Sequence, residues 1–142
     1  FPTLVKMAAE APAFKAVIDV DDPRFLAPGD MPARIQEYCK KTGQEVPQGR
    51  GEISRVIYES LALKYRWAIE RLEEVLGHPI KVLHIVGGGS KDKYLNTLTA
   101  EATGLEVFAG PTEGTAIGNL IVQMISAGEF SDLAEARKAI GR

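Results

Sequence analysis

Cysteine is almost absent from this chain. Cys39 stands alone, so no internal disulfide can form, and the composition fits a reducing cytoplasm. Long apolar runs are missing too: none approaches the ~20 residues that a membrane-spanning helix needs, so no membrane partner is expected. Neither sign of charge dominates, with Lys+Arg at 17, Asp+Glu at 19 and a net charge of −2. That balance speaks against nucleic acid as the main partner, which calls for a basic surface. Histidine occurs only at His78 and His84, and there is no CxxC, no HExxH and no serine in a nucleophile elbow. No catalytic set and no metal-ligand set is therefore assigned. His84, inside a predicted strand, is expected to be a hydrogen-bonded core side chain, and Cys39 a buried or bystander thiol on a helix.

What is present is ordinary for a globular domain: 45% apolar and 25% charged residues in a chain of 142. One stretch organises the rest. Val82 to Val86 reads as a buried strand, stopped by Gly87, Gly88 and Gly89, with a helix starting around Ser90–Lys91. Glycine has no Cβ, so a phosphate or nucleotide can approach the main chain there, and the free N–H groups of a first helical turn would point at it. The same three glycines would also serve a tight strand-to-helix turn that binds nothing, and spacing alone leaves both readings open. Two better-known loops are excluded. The dinucleotide fingerprint needs a glycine where Asp92 stands, and the acid expected at the end of the next strand is missing, since Glu106 opens that strand. The phosphate-binding loop of nucleoside triphosphatases needs Gly-Lys-Ser/Thr, whereas here Lys91 lies between Ser90 and Asp92.

In chain order, Thr3–Ala11 reads as a short helix ended by Pro12, and Phe14–Val20 as a short strand. Asp30 is placed to cap a helix that Pro32 opens and Gly43 stops. From Gly51 to Leu76 runs the longest helix, with Ile53, Val56, Ile57, Ser60, Leu61, Trp67, Leu72 and Val75 on one face. Glu52, Arg55, Glu59, Arg66, Glu70 and Glu73 lie mostly opposite, as a solvated charged face. Tyr65 and Trp67 are expected to pack. A helix over Lys91–Thr103, a strand over Glu106–Ala109, a helix over Glu113–Ser126 capped by Thr112, and a last helix over Asp132–Ile140 capped by Ser131 complete the reading. Gly114 and Gly118, inside a helix, predict close approach to another backbone or a moving joint. The class is α/β: helix-rich, with a small, mainly parallel sheet from a βαβα unit. The chain opens Phe1-Pro2-Thr3 without an initiator methionine and its sheet is small for its helices, so it reads as cut from something longer. An uncovered sheet edge would then make the piece self-associate or leave it marginally stable.

Four stretches carry a resemblance: Phe25-Leu26-Ala27-Pro28-Gly29-Asp30-Met31-Pro32, Glu59–Tyr65, His84-Ile85-Val86-Gly87-Gly88-Gly89-Ser90, and Ala109–Asn119. Over essentially the whole chain the sequence resembles the C-terminal part of FGGY carbohydrate kinases, most specifically those acting on L-rhamnulose. The resemblance implies a ribonuclease H-like, actin-like ATPase fold. It makes residues 1–142 a single partial domain, the second half of the C-terminal kinase domain on its nucleotide-binding side. It implies ATP as co-substrate, with Mg2+, and phosphoryl transfer to the 1-hydroxyl of L-rhamnulose, with ADP as product. It implies nucleotide contacts at Gly87, Gly88 and Gly89, with Gly88 foremost. It also implies a contact at Asp92, which stands where the family usually has Asn; a carboxylate can accept from an adenine amine but cannot donate. Glu113–Met124 matches a helix at an interdomain hinge. The catalytic aspartate and most sugar contacts would lie upstream of Phe1, so the piece alone would be inactive. Another FGGY sugar or polyol kinase, or a non-catalytic actin-like nucleotide-binding module, would share these features.

Overall fold

A computed structural model describes residues 2–140. Among them, helices α1 (Pro2–Glu10), α2 (Met31–Lys41) and α3 (Gly49–Leu76) precede strand β1 (Val82–Ile85). Helix α4 (Lys93–Thr103), strand β2 (Glu106–Ala109), α5 (Gly114–Ser126) and α6 (Leu133–Ala139) follow. The structure is 62% helical, and β1 and β2 form a two-stranded parallel sheet. The chain divides into two compact units. The larger runs to Leu83 and takes in Asp92–Val107; the smaller holds His84–Lys91 and the chain from Phe108 onward.

In the larger unit the helix signals act as read. The Asp30 side chain accepts from Ala33 N at 3.1 Å and caps α2, with Pro32 in the first turn. Gly77 and Gly104 close α3 and α4 in the left-handed conformation. The core gathers Ala16, Ile18, Ile35, Cys39, Ile53 and Val56. Cys39 is fully buried, and burial pushes its thiol above the usual range.

Phe14–Val20 is not a strand. Its backbone is tied by side chains instead: Phe14 N to Glu59, Val17 N and O to Gln44, Ile18 N to Ser60 and Asp19 N to the Tyr38 hydroxyl. With those partners it needs no ladder. Nor is the charged face of α3 all solvated. Both α1 and α4 pack on this helix, so it is covered on more than one side. Tyr58, Ala62 and Ile69 are buried roughly half a turn away from Ile53 and Ser60. Glu59 is 2% exposed, its carboxylate held by Arg55 at 2.6 Å and by Phe14 N. Trp67, 53% exposed, and Tyr65 do not pack into a core; the Lys64 ammonium lies 4.6 Å from the Trp67 ring centroid. Close backbone approach occurs at Gly51, where a Cβ would meet the Met7 carbonyl oxygen at 2.9 Å.

In the smaller unit, Ile121 of α5 and Ala136 of α6 are buried, while Leu120, Val122, Leu133 and Ile140 are exposed. Gly118 has no atom within 4 Å of a would-be Cβ and Gly114 meets only Val86 and Pro111 side-chain atoms at ordinary distance, so neither marks close backbone packing. Asp132, not Ser131, caps α6 by accepting from Glu135 N, while Ser131 bonds the Glu135 carboxylate. Glu113 rather than Thr112 precedes α5, and no side chain caps it. β1 is not buried: its residues alternate between exposed and half-buried, because only one neighbouring strand is present among the described residues. His84 is likewise outside any core and stacks on Phe108 with ring centroids 5.3 Å apart.

Candidate functional site

The glycine turn belongs to the smaller unit, and its three glycines are not equivalent. Gly87 has φ +81°, a conformation that side chains resist, and its N–H donates to Pro111 O at 3.0 Å. Its carbonyl accepts from Ser90 N at 3.1 Å and Ser90 Oγ at 2.7 Å, which fixes the turn. Gly88 and Gly89 instead open a 3-10 turn, Gly88–Lys91, without a positive φ. Nothing lies within 4 Å of a would-be Cβ at Gly87, Gly88 or Gly89. The chain's own packing and torsions therefore require glycine at Gly87 only. Gly88 and Gly89 present bare, exposed main chain, and their N–H groups stand at the start of the turn with no acceptor before them in it.

The helix that follows starts later than the sequence suggests. The 3-10 turn intervenes, and α4 begins at Lys93. Asp92, in the larger unit, caps it: Oδ1 accepts from Leu95 N at 3.1 Å. One of the first-turn amides of α4, that of Leu95, is thus already satisfied from within. Oδ2 of the same carboxylate accepts from the Tyr58 hydroxyl at 2.7 Å. Tyr58 is 9% exposed and packs edge-on against Tyr94, with ring centroids 5.0 Å apart. Burial, then the Asp92 carboxylate, push the Tyr58 hydroxyl well above its ordinary range, so it stays protonated and donates the hydrogen bond to Asp92. Sequence reasoning passed over Tyr58 because it lies off the apolar stripe of α3 and meets a partner 34 residues away. A tyrosine among charged positions of an amphipathic helix was the one available signal.

The predicted contacts thus divide. Gly87, Gly88 and Gly89 form an accessible turn in one unit, and Asp92 is engaged in capping in the other. Among the described residues no three His, Cys, Asp or Glu side chains converge as metal ligands, and no helix is long and apolar enough to cross a membrane.

Relatives are found across the chain. It is 46% identical over 142 residues to the rhamnulokinase of Bacteroides thetaiotaomicron, covering 100% of this chain and 29% of that protein. To the rhamnulokinase of Enterococcus faecalis it is 46% identical over 142 residues, covering 99% and 29%. To that of Bacillus subtilis it is 44% identical over 140 residues, again covering 99% and 29%. The chain therefore spans under a third of the length of these relatives. The C-terminal domain of the FGGY family has the ribonuclease H-like, actin-like ATPase fold, and a helix-rich chain with a small parallel sheet agrees with it. Residues 2–127 match the FGGY family of carbohydrate kinases, C-terminal domain, and it is to this family that the chain belongs.

Proposed function

We propose that this chain is the nucleotide-binding C-terminal portion of a cytoplasmic carbohydrate kinase that transfers the γ-phosphoryl group of ATP to the 1-hydroxyl of L-rhamnulose. The bare main chain at Gly88 and Gly89 is the observation that carries the nucleotide assignment, since nothing among the described residues requires glycine there. The sugar assignment rests on the relatives' names.

In this reading the chain contributes positioning. Main-chain N–H groups at Gly88 and Gly89, in the turn that Gly87 shapes, hold the nucleotide close, and Asp92 fixes the start of α4. Phosphoryl transfer is catalysed chiefly by orientation and charge neutralisation, so holding the nucleotide still is itself a catalytic contribution. The carboxylate that accepts the sugar hydroxyl's proton, and most sugar contacts, are assigned outside this chain, which is inactive alone. Among the described residues no three His, Cys, Asp or Glu side chains converge to hold Mg2+. Both strands of the two-stranded sheet are edges, so the isolated chain is expected to self-associate; a single monomeric species at all concentrations in sedimentation would remove that point.

Gly88→Ala tests the nucleotide assignment. The backbone there accepts alanine, so the melting temperature should hold or rise slightly, while ATP binding to the full-length protein weakens. Unchanged ATP affinity would overturn the assignment. For the reaction, ADP release by the full-length protein is followed with magnesium ATP and a panel of ketoses and polyols. Release selective for L-rhamnulose is expected. Release with another sugar keeps the kinase and discards the substrate; nucleotide binding without sugar-dependent release replaces the kinase with a non-catalytic nucleotide-binding module.

A further inference from the structure

Asp92 is the residue at which the glycine turn passes into α4. Its two carboxylate oxygens are both engaged by the chain: Oδ1 by Leu95 N at 3.1 Å and Oδ2 by the Tyr58 hydroxyl at 2.7 Å. A cap side chain is normally free to swing, and its bond to the helix competes with water. Here the second bond removes that freedom. The Tyr58 ring cannot follow a moving carboxylate, because it is buried and set edge-on against Tyr94, which α4 itself carries. Helix α3 thus fixes the first turn of α4 at two points, through a ring contact and through the cap.

We infer that Tyr58 is a positioning residue for the nucleotide site: by locking Asp92 in its capping orientation it fixes the point where the chain leaves the glycine turn, and it commits that carboxylate to the protein rather than to the nucleotide base. The inference rests on the nucleotide reading given above. It assigns a role to a residue that no glycine motif contains. It also changes the meaning of Asp92, from a group that reads the 6-amino group of adenine to one that holds a helix start. An aspartate is suited to this role, because an ionised carboxylate accepts both bonds and needs to donate none.

The two roles of Asp92 differ in what they do to base preference. ATP and inosine triphosphate differ at the 6-position of the purine, where only ATP offers an amine. Their affinities for the full-length protein are measured by titration calorimetry well below the melting temperature, for wild type, Tyr58→Phe, Asp92→Ala and Asp92→Asn. Tyr58→Phe and Asp92→Ala are expected to weaken both nucleotides by the same factor, about fivefold, the equivalent of losing one cap. Asp92→Asn, whose Oδ1 can cap while its Nδ2 donates to the Tyr58 hydroxyl, is expected to recover most of the loss. The ratio of the two affinities should stay at the wild-type value throughout. Amide exchange at Leu95 should quicken in Tyr58→Phe while the remainder of α4 keeps its protection.

A ratio that collapses in the Asp92 variants would overturn the inference, because the carboxylate would then be reading the base. Wild-type affinity in Tyr58→Phe, with wild type binding ATP normally, would overturn it while leaving the nucleotide reading intact. Wild type that binds neither nucleotide would bring down the nucleotide reading, and this inference with it.

Discussion

Ile35 and Leu120 are both aliphatic side chains on amphipathic helices, yet Ile35 is 1% exposed and Leu120 is 57% exposed. The contrast extends to the units that hold them. In the larger unit α1 and α4 pack on α3, and a core closes around Ile18, Ile35, Cys39 and Val56. In the smaller unit α5 and α6 meet each other, and Val86, Phe108, Leu120, Val122, Leu133 and Ile140 remain uncovered. Burial needs two parties, an apolar stripe and a surface that faces it. The larger unit supplies both from its own sequence. The smaller supplies stripes on two helices but little to lay over them, so its apolar pattern overstates its core.

The widest expected gap between the units is in core truncation. Ile35→Ala should lower stability by about 2–5 kcal/mol, the usual range for emptying a packed aliphatic site. Leu120→Ala should change it by under about 0.5 kcal/mol, because little is packed against that side chain. Urea unfolding of both variants measures the difference. Equal effects would mean that Leu120 is covered in solution and that the contrast between the units is false.

A finer comparison uses two caps of the same chemistry. Asp30 accepts from Ala33 N at the start of α2, and Asp132 accepts from Glu135 N at the start of α6. Asp30→Ala should cost about 1 kcal/mol of global stability, since α2 carries the core residues Ile35 and Cys39. Helix α6 is only 7 residues long and buries Ala136 alone, so Asp132→Ala should appear as faster amide exchange within α6 and leave the urea midpoint in place. A shift of that midpoint would show that α6 unfolds together with the larger unit.

Local signals were the legible part of this fold. Caps at Asp30, Gly77 and Gly104 and the whole of β2 follow from chain-neighbour chemistry, and they stand where the sequence places them. Contacts far apart in sequence were not legible. Glu59 sits on a charged face, yet Phe14 N, 45 residues away, donates to its carboxylate, and the backbone of Phe14–Val20 bonds side chains of α2, α3 and Gln44 in place of a strand ladder. Glycines show both cases. Gly87 turns the chain where the sequence places a turn, whereas the close backbone approach expected at Gly114 or Gly118 occurs instead at Gly51, whose neighbour, the Met7 carbonyl, comes from another helix. At the candidate site the three glycines were visible by composition, whereas Tyr58 depended on a partner 34 residues away.

The smallest expected effect is in acid. In the larger unit the Glu52 carboxylate is held below its usual range by the Gln48 N–H and then by Lys15. Asp19 is held down by Lys64, Asp22 by the Arg24 N–H and Glu37 by Lys41. The smaller unit has Glu135, held down by the Ser131 hydroxyl and then its N–H. A carboxylate whose folded-state value is lowered contributes stability that is fully present above its unfolded value. That contribution is lost as pH falls through the folded value, because the unfolded chain then binds more protons. Loss in the larger unit should therefore begin below about pH 4, near the ordinary carboxylate range. All of these groups are solvent-accessible, so the slope should be shallow and flatten with salt. Glu52→Gln should flatten it further, because an amide has no proton to take up in this range. Amide exchange at Cys39 against Ile121 across the acid range separates the units. A steeper acid response at Ile121 would reverse the ordering, and would mean that the few partnered charges of the smaller unit matter more to it than the apolar side chains it leaves uncovered.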